Sequence, residues 1–198
     1  MKEQVRANQT NRREILKLSG MGVLGGVAAN ALTSGKAQAA DVPINVSYAS
    51  WIHGRTMQIE YPDRIAREDR IGWCAFVEGK PGTINWFHFA IPTPVIINDV
   101  RLQIDSVLLI FKTGSVDAVV RDVHVYDGPW RIAVFDLINL TGDQPLVRLV
   151  LPGAPPVSQG LGISVGVGFG VEAMDHTMEF YSAGCDFVIR PVVAPPAP

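Results

Sequence analysis

From Thr56 onward the apolar residues recur at every second position, the repeat of a strand that turns one side chain to a core and the next to solvent. Met57, Ile59 and Tyr61 alternate with Thr56, Gln58 and Glu60, and Val100, Leu102 and Ile104 alternate with Arg101, Gln103 and Asp105. Val107 to Phe111 is apolar throughout, which predicts a central strand covered on both faces. Val119 to Tyr126 and Ile132 to Phe135 flank Asp127-Gly128-Pro129-Trp130, a cluster suited to a hairpin turn. With Leu146 to Leu151, Gly162 to Val171 and Thr177 to Ile189, about nine or ten strands are expected. Breakers separate them at Tyr61-Pro62-Asp63, Lys80-Pro81-Gly82, Pro92-Thr93-Pro94, Thr141-Gly142-Asp143 and Pro152 to Pro156. No segment beyond the first forty residues keeps a 3.6-residue period for three turns. The one candidate helix is the charged stretch Asp63 to Arg70, whose mixed signs also suit a solvated loop. The pattern predicts an all-β fold, a single antiparallel β-sandwich of jelly-roll type, with a closed β-barrel as the alternative.

The first forty residues follow another logic. Arg12-Arg13 with Leu16 and Lys17 precedes a weakly apolar stretch, Leu18 to Leu32, and then Ala37-Gln38-Ala39. That order describes a twin-arginine signal peptide with a small-residue cleavage site, the apolar stretch being too short and too rich in Gly and Ala to span a bilayer. The expected organisation is therefore a removed signal over 1–40, a β-sandwich domain over 41–190 and a Pro-rich mobile tail over 191–198. The twin-arginine translocase is the partner during export, and the destination is the periplasm or the outside of a bacterial cell. The signal holds 6 of the 17 basic and 2 of the 19 acidic residues, so 11 and 17 remain and the mature charge is −6. This balance argues against nucleic acid and anionic lipid. No transmembrane anchor is expected, since no mature apolar run approaches about 20 residues.

Candidate chemistry is sparse. Cys74 and Cys185 either form a disulfide, which an oxidising destination would permit, or remain buried thiols. Gly162-Ile163-Ser164-Val165-Gly166 matches the G-x-S-x-G string of serine hydrolases, yet it sits inside an alternation and lacks the following helix of a nucleophile elbow. Its even-numbered side, Gly162, Ser164, Gly166, Gly168 and Gly170, is almost bare, which suits close approach of a backbone, a bulky aromatic or a second chain. The histidines His53, His88, His124 and His176 form no metal-binding spacing. A weak metal alternative assembles Asp122, His124 and His176, with Asp175 beside the last. No cofactor is expected.

The aromatics are a better lead. If Phe87, Phe89 and Ile91 face the core, Trp86 and His88 face away, and Trp51 with His53 repeats the Trp-x-His arrangement. Trp130 stands at a turn. Such aromatics flanked by polar groups suit sugar-ring stacking or a protein partner, whereas strands covered on both faces would make each Trp part of the core. The expected binding set is Trp51, His53, Trp86, His88 and Trp130.

Gln58 to Arg64, Glu78 to Gly82 with Asn85 to Phe89, and Val123 to Gly128 resemble a family of small bacterial proteins of unknown function. The resemblance covers most of the mature chain and implies no activity and no catalytic residue. The expected function is an exported, non-catalytic binding module of the envelope that recognises a glycan or a partner protein. Alternatives are a metal-assisted hydrolase on the same sandwich and a self-associating envelope component, the latter suggested by the bare glycine side. Clustering of Trp51, Trp86 and Trp130 would favour glycan binding, and convergence of three among His53, His88, His124, Asp122 and Asp175 in a concavity would favour an enzyme.

Overall fold

Alternating burial along several of the longer strands produces two large sheets with one core between them. The computed structural model describes residues 46–189; the twin-arginine segment and the Pro-rich tail lie outside the described residues. The strands are β1 (Tyr48–His53), β2 (Gln58–Ile59), β3 (Ile65–Arg70), β4 (Ala75–Gly79), β5 (Thr83–Ile91), β6 (Ile96–Ile97), β7 (Val100–Arg101), β8 (Gln103–Thr113), β9 (Ala118–Asp127), β10 (Trp130–Phe135), β11 (Asp143–Val150), β12 (Leu161–Phe169) and β13 (Thr177–Val188).

One sheet has the order β11-β8-β13-β4-β3, with β1 also on β13, and the other has the order β10-β9-β12-β5-β2. β4 pairs with β13 over Thr177 to Phe180 and β1 pairs with it over Ser182 to Phe187, so the two lie end to end along one edge of that strand. The pairing is nested: β4 with β13 encloses β5 with β12, which encloses β8 with β11, which encloses the β9-β10 hairpin. Alternate pairs of that nest fall in opposite sheets, which is the jelly roll. Among the described residues each large sheet ends in edge strands with no partner beyond them, so the sheets do not close into the alternative barrel.

Phe87 and Phe89 of β5, Ile163, Val165 and Val167 of β12 and Val123 and Val125 of β9 meet Val107, Leu109 and Phe111 of β8 and Phe180, Cys185 and Phe187 of β13. The Phe180 ring bridges the sheets, with its centroid 5.0 Å from that of Phe87 and 5.5 Å from that of Phe89. A buried polar group is tolerated where its bonds are complete. Asn85 accepts N–H bonds from Tyr61 and Trp86 and donates to the Tyr61 carbonyl, which fixes the chain after β2 against β5. Asp127, 4% exposed, accepts the N–H groups of Ser158, Gln159 and Gly160 at 2.7, 2.8 and 3.0 Å.

One expectation is corrected. Asp63 to Arg70 is neither helix nor loop: after a 3-10 turn over Pro62–Arg64 it becomes edge strand β3 on β4. Its charges suit an edge, where Arg67 with Asp69 and Arg70 with Glu68, each at 2.6 Å, discourage pairing with another chain. Of the two readings for Cys74 and Cys185, the structure has the buried free thiols. Ala75 pairs with Phe180, which puts Cys74 level with Tyr181, four residues of β13 from Cys185. That is a separation of roughly 13 Å at the strand rise, too far for a bridge.

Candidate functional site

The outer face of the β10-β9-β12-β5-β2 sheet is where strand register gathers polar and aromatic side chains. β12 is its central strand and presents Gly162, Ser164, Gly166 and Gly168 outward. Register sets Ala90 and Tyr126 beside Gly162, His88 and His124 beside Ser164, Trp86 and Asp122 beside Gly166, and Ile84 and Val119 beside Gly168. Flanking residues on both sides thus stand above a floor that has almost no side chains. The result is a trough along β12, about 26 Å from Gly162 to Gly170 at the strand rise.

Two long side chains lie across the floor. A Cβ at Gly166 would stand 3.0, 3.1 and 3.3 Å from three atoms of the six-membered ring of Trp86, so that ring covers the glycine. The half-buried indole also meets the His124 imidazole, with ring centroids 4.8 Å apart. At Gly168 the aliphatic stem of Arg121 takes the equivalent place, its Cδ 2.9 Å from such a Cβ. Arg121 reaches there because the register of β9 against β12 shifts between Asp122 and Val120, and a bulge of this kind re-aims the extra side chain. The trough deepens at each end. One depression, of about 450 Å³, includes His88, Ala90, Tyr126, Gly162, Ser164 and Gln58; the other, of about 500 Å³, includes Arg121, Asp117, Asn139, Thr83, Gly168 and Gly170.

The polar groups are linked in short chains. Glu60 Oε2 is 3.0 Å from His88 Nε2, and His88 Nδ1 is 2.9 Å from Ser164 Oγ. A proton on Nε2 facing the carboxylate leaves Nδ1 to accept from the serine hydroxyl. On the other side of β12, His124 Nε2 is 2.9 Å from Asp136 Oδ1, and Asp122 accepts the Leu137 N–H at 3.0 Å. Glu60 also lies against the Tyr61 hydroxyl and raises its pKa, first through their hydrogen bond and then through its charge.

The predicted site residues divide between faces. Trp86 and His88 point away from the core, as the alternation requires. Trp51, 42% exposed, lies on the opposite side of the molecule, over Gly184 of β13, and His53 ends the same strand, its ring accepting the Arg55 N–H. Trp130, 61% exposed, is in register with Asp127, on the side of the sheet away from Tyr126. The three tryptophans therefore do not cluster. His88, His124 and Asp122 do share one face, but His124 and Asp122 are turned to Asp136 and Leu137. His176 is buried elsewhere, 2.7 Å from Asp117, and Asp175 accepts the N–H of Thr177. Among the described residues no group of three His, Cys, Asp or Glu is placed to hold a metal ion, so Asp122, His124 and His176 do not assemble as that alternative required. Sequence reasoning missed Glu60, Arg121 and Tyr126. Tyr126 was accessible from its alternation with Val125, whereas Arg121 depended on a bulge and Glu60 on pairing across β5.

Fold and face together define a jelly-roll β-sandwich with an open, aromatic-bearing trough on one sheet. The chain belongs to a family of unknown function, DUF6623, whose model matches residues 46–188. No match is found among curated proteins. Among solved structures the chain is similar to CBM86, a low-affinity xylan-binding module from Roseburia intestinalis, at 12% identity and a TM-score of 0.45, covering 71% of this chain and 96% of that one. It is also similar to the Stig cyclase Fisc from Fischerella sp. TAU, at 11% and 0.40, covering 70% and 85%, and to a family 29 carbohydrate-binding module, at 8% and 0.34, covering 70% and 89%. Likenesses this distant assign neither ligand nor residue to this chain. Among the described residues no helix is long and apolar enough to cross a membrane.

Proposed function

We propose that this protein is an exported, non-catalytic binding module that takes a glycan chain into the trough along β12. The observation that carries the reading is the Trp86 ring laid over Gly166 in mid-trough. An indole seated on a bare strand offers its outer face to a sugar ring, and the contact of C–H groups with an aromatic face is favourable while the hydroxyls remain free to hydrogen-bond. His88 and Tyr126 at the Gly162 end of the trough and Asn139 at the Gly168 end add donors and acceptors along it. Export through the twin-arginine translocase, read from Arg12 and Arg13, would bring the module to the periplasm or the outside, where polysaccharides are met. Trp51 and Trp130 stand apart from the trough, so Trp86 with His88 is the binding centre.

The test is affinity electrophoresis and calorimetry of the mature protein against a panel of soluble polysaccharides. Trp86→Ala should abolish retardation while costing about 1–2 kcal/mol of stability, as for a half-buried aromatic. If every polysaccharide leaves wild-type migration unchanged, or Trp86→Ala binds as well as wild type, the reading fails.

A hydrolase is favoured by one observation, the Glu60–His88–Ser164 chain of hydrogen bonds. Acyl transfer also needs donors aimed at the developing oxyanion. The backbone around Ser164 is committed to β5 on one side and β9 on the other, so no pair of N–H groups is free there. His88 and Ser164 are accordingly assigned to ligand binding, and a fluorophosphonate probe should leave Ser164 unlabelled.

A further inference from the structure

The trough sorts its charges unequally. Four carboxylates border this face and its ends, and each is engaged: Glu60 by His88, Asp136 by His124, Asp117 by His176 at 2.7 Å and the Glu172 N–H at 3.0 Å, and Asp122 by the Leu137 N–H. Arg121 and Arg131 belong to the same face, since Arg131 is in register with Tyr126. Neither guanidinium makes a hydrogen bond or ion pair with the described residues. Arg131 is exposed and well hydrated, but Arg121 is half-buried and lines the depression at the Gly168 end. The covered part of Arg121 is its stem, laid on Gly168, while its guanidinium has no acceptor among the described residues and keeps its donors for a ligand. The bulge that aims Arg121 over Gly168 holds its stem in place and leaves its planar fork of donors facing the trough.

We infer that the trough reads an anionic substituent, a carboxylate or a sulfate, on a linear glycan, and that Arg121 is the specificity-determining residue. This rests on the glycan reading above. A planar guanidinium meets either oxyanion with two parallel hydrogen bonds, whereas a neutral hydroxyl uses only one of its donors at a time. Gly162 and Gly168, which mark the levels of Arg131 and Arg121, are six strand residues apart, about 20 Å. That spacing suits charges recurring along an extended polymer. The net negative charge of the mature chain acts weakly from a distance, because Debye screening limits its reach to about 10 Å at 0.1 M salt.

The experiment is titration calorimetry of the mature protein with three probes: an oligogalacturonate for the carboxylate, a sulfated galactan oligosaccharide for the sulfate, and a cello-oligosaccharide as the neutral chain. Wild type, Arg121→Gln, Arg121→Lys and Trp86→Ala are compared after thermal melts have established that each is folded. One anionic probe should bind more tightly than the neutral one, and more weakly as salt rises. Arg121→Gln should lose about tenfold for that probe and little for the neutral chain. Arg121→Lys, which keeps the charge without the fork, should recover only part of the loss. Whichever of the carboxylate and sulfate probes binds identifies the source. Equal affinity for neutral and anionic chains, with Trp86→Ala abolishing both, overturns the anion inference while the glycan reading survives. Absence of binding to all three probes at low salt overturns the inference, and if the wider polysaccharide panel also fails, the glycan reading falls with it.

Discussion

Asp186 shows how one residue's surroundings set its behaviour. It stands on the outer side of β13, with Arg148 of β11 at 3.7 Å and the Ser106 hydroxyl of β8 donating at 3.3 Å. Its pKa is raised: burial is the largest influence and pushes it up, Arg148 and Ser106 pull it down, and the neighbouring Asp105 pushes it up again. A carboxyl whose folded pKa lies above its unfolded one adds stability below the unfolded value, and that contribution is lost as pH rises through the folded value. Asp186→Asn should therefore flatten the acid-to-neutral part of the stability profile, with Arg148 still held by Asp105 at 2.8 Å. Urea unfolding of both proteins from about pH 3 to 7 checks this, and parallel profiles would show that Asp186 titrates normally. The thiols follow similar physics: burial pushes up Cys185 and also Cys74, each with a carboxylate nearby, Asp186 and Glu179 respectively. Neither should react with Ellman's reagent at pH 8 in the native protein, and both should react in denaturant. Fewer than two thiols released on unfolding would indicate the disulfide after all.

At the scale of elements, β12 deserves its glycines because two long side chains lie on them. Gly166→Val would put methyl groups where the Trp86 ring rests, while supplying a residue that suits a strand. Stability should change by less than about 1 kcal/mol, because the half-buried ring can lift towards solvent. Trp86 emission should move to longer wavelength and trough binding should weaken, as read from fluorescence and the same titrations. Unchanged emission would mean that the ring does not lie where the packing puts it. β3 illustrates the opposite case: an alternation-poor, charged hexapeptide becomes a strand only because β4 offers it a partner.

For the whole molecule, the nested pairing brings together strands far apart in the chain, so that Gln58, His88, Ser164 and His124 stand in one row. Long-range closure of this kind makes folding slow compared with local topologies. If export is by the twin-arginine route, this slow assembly is completed before translocation. Replacing Arg12 and Arg13 together by Lys should then leave precursor in the cytoplasm, since lysine lacks the planar donor geometry of the pair. Cell fractionation and immunoblotting measure it, and undiminished export of the double variant would remove the envelope assignment.

Period-two alternation determined the all-β class, the inward set Phe87, Phe89, Ile163, Val165 and Val167, and the outward direction of Trp86 and His88, because in a strand the facing of each side chain is a local property. The hairpin at Gly128-Pro129 was legible for the same reason. Which outward residues become neighbours was not, since register across strands depends on the whole packed sheet. Tertiary structure alone put Trp51 and Trp86 on opposite sides, kept Cys74 and Cys185 apart, made Ile65 to Arg70 an edge strand, set Glu60 against His88 and, through a single bulge, laid Arg121 on the glycine floor.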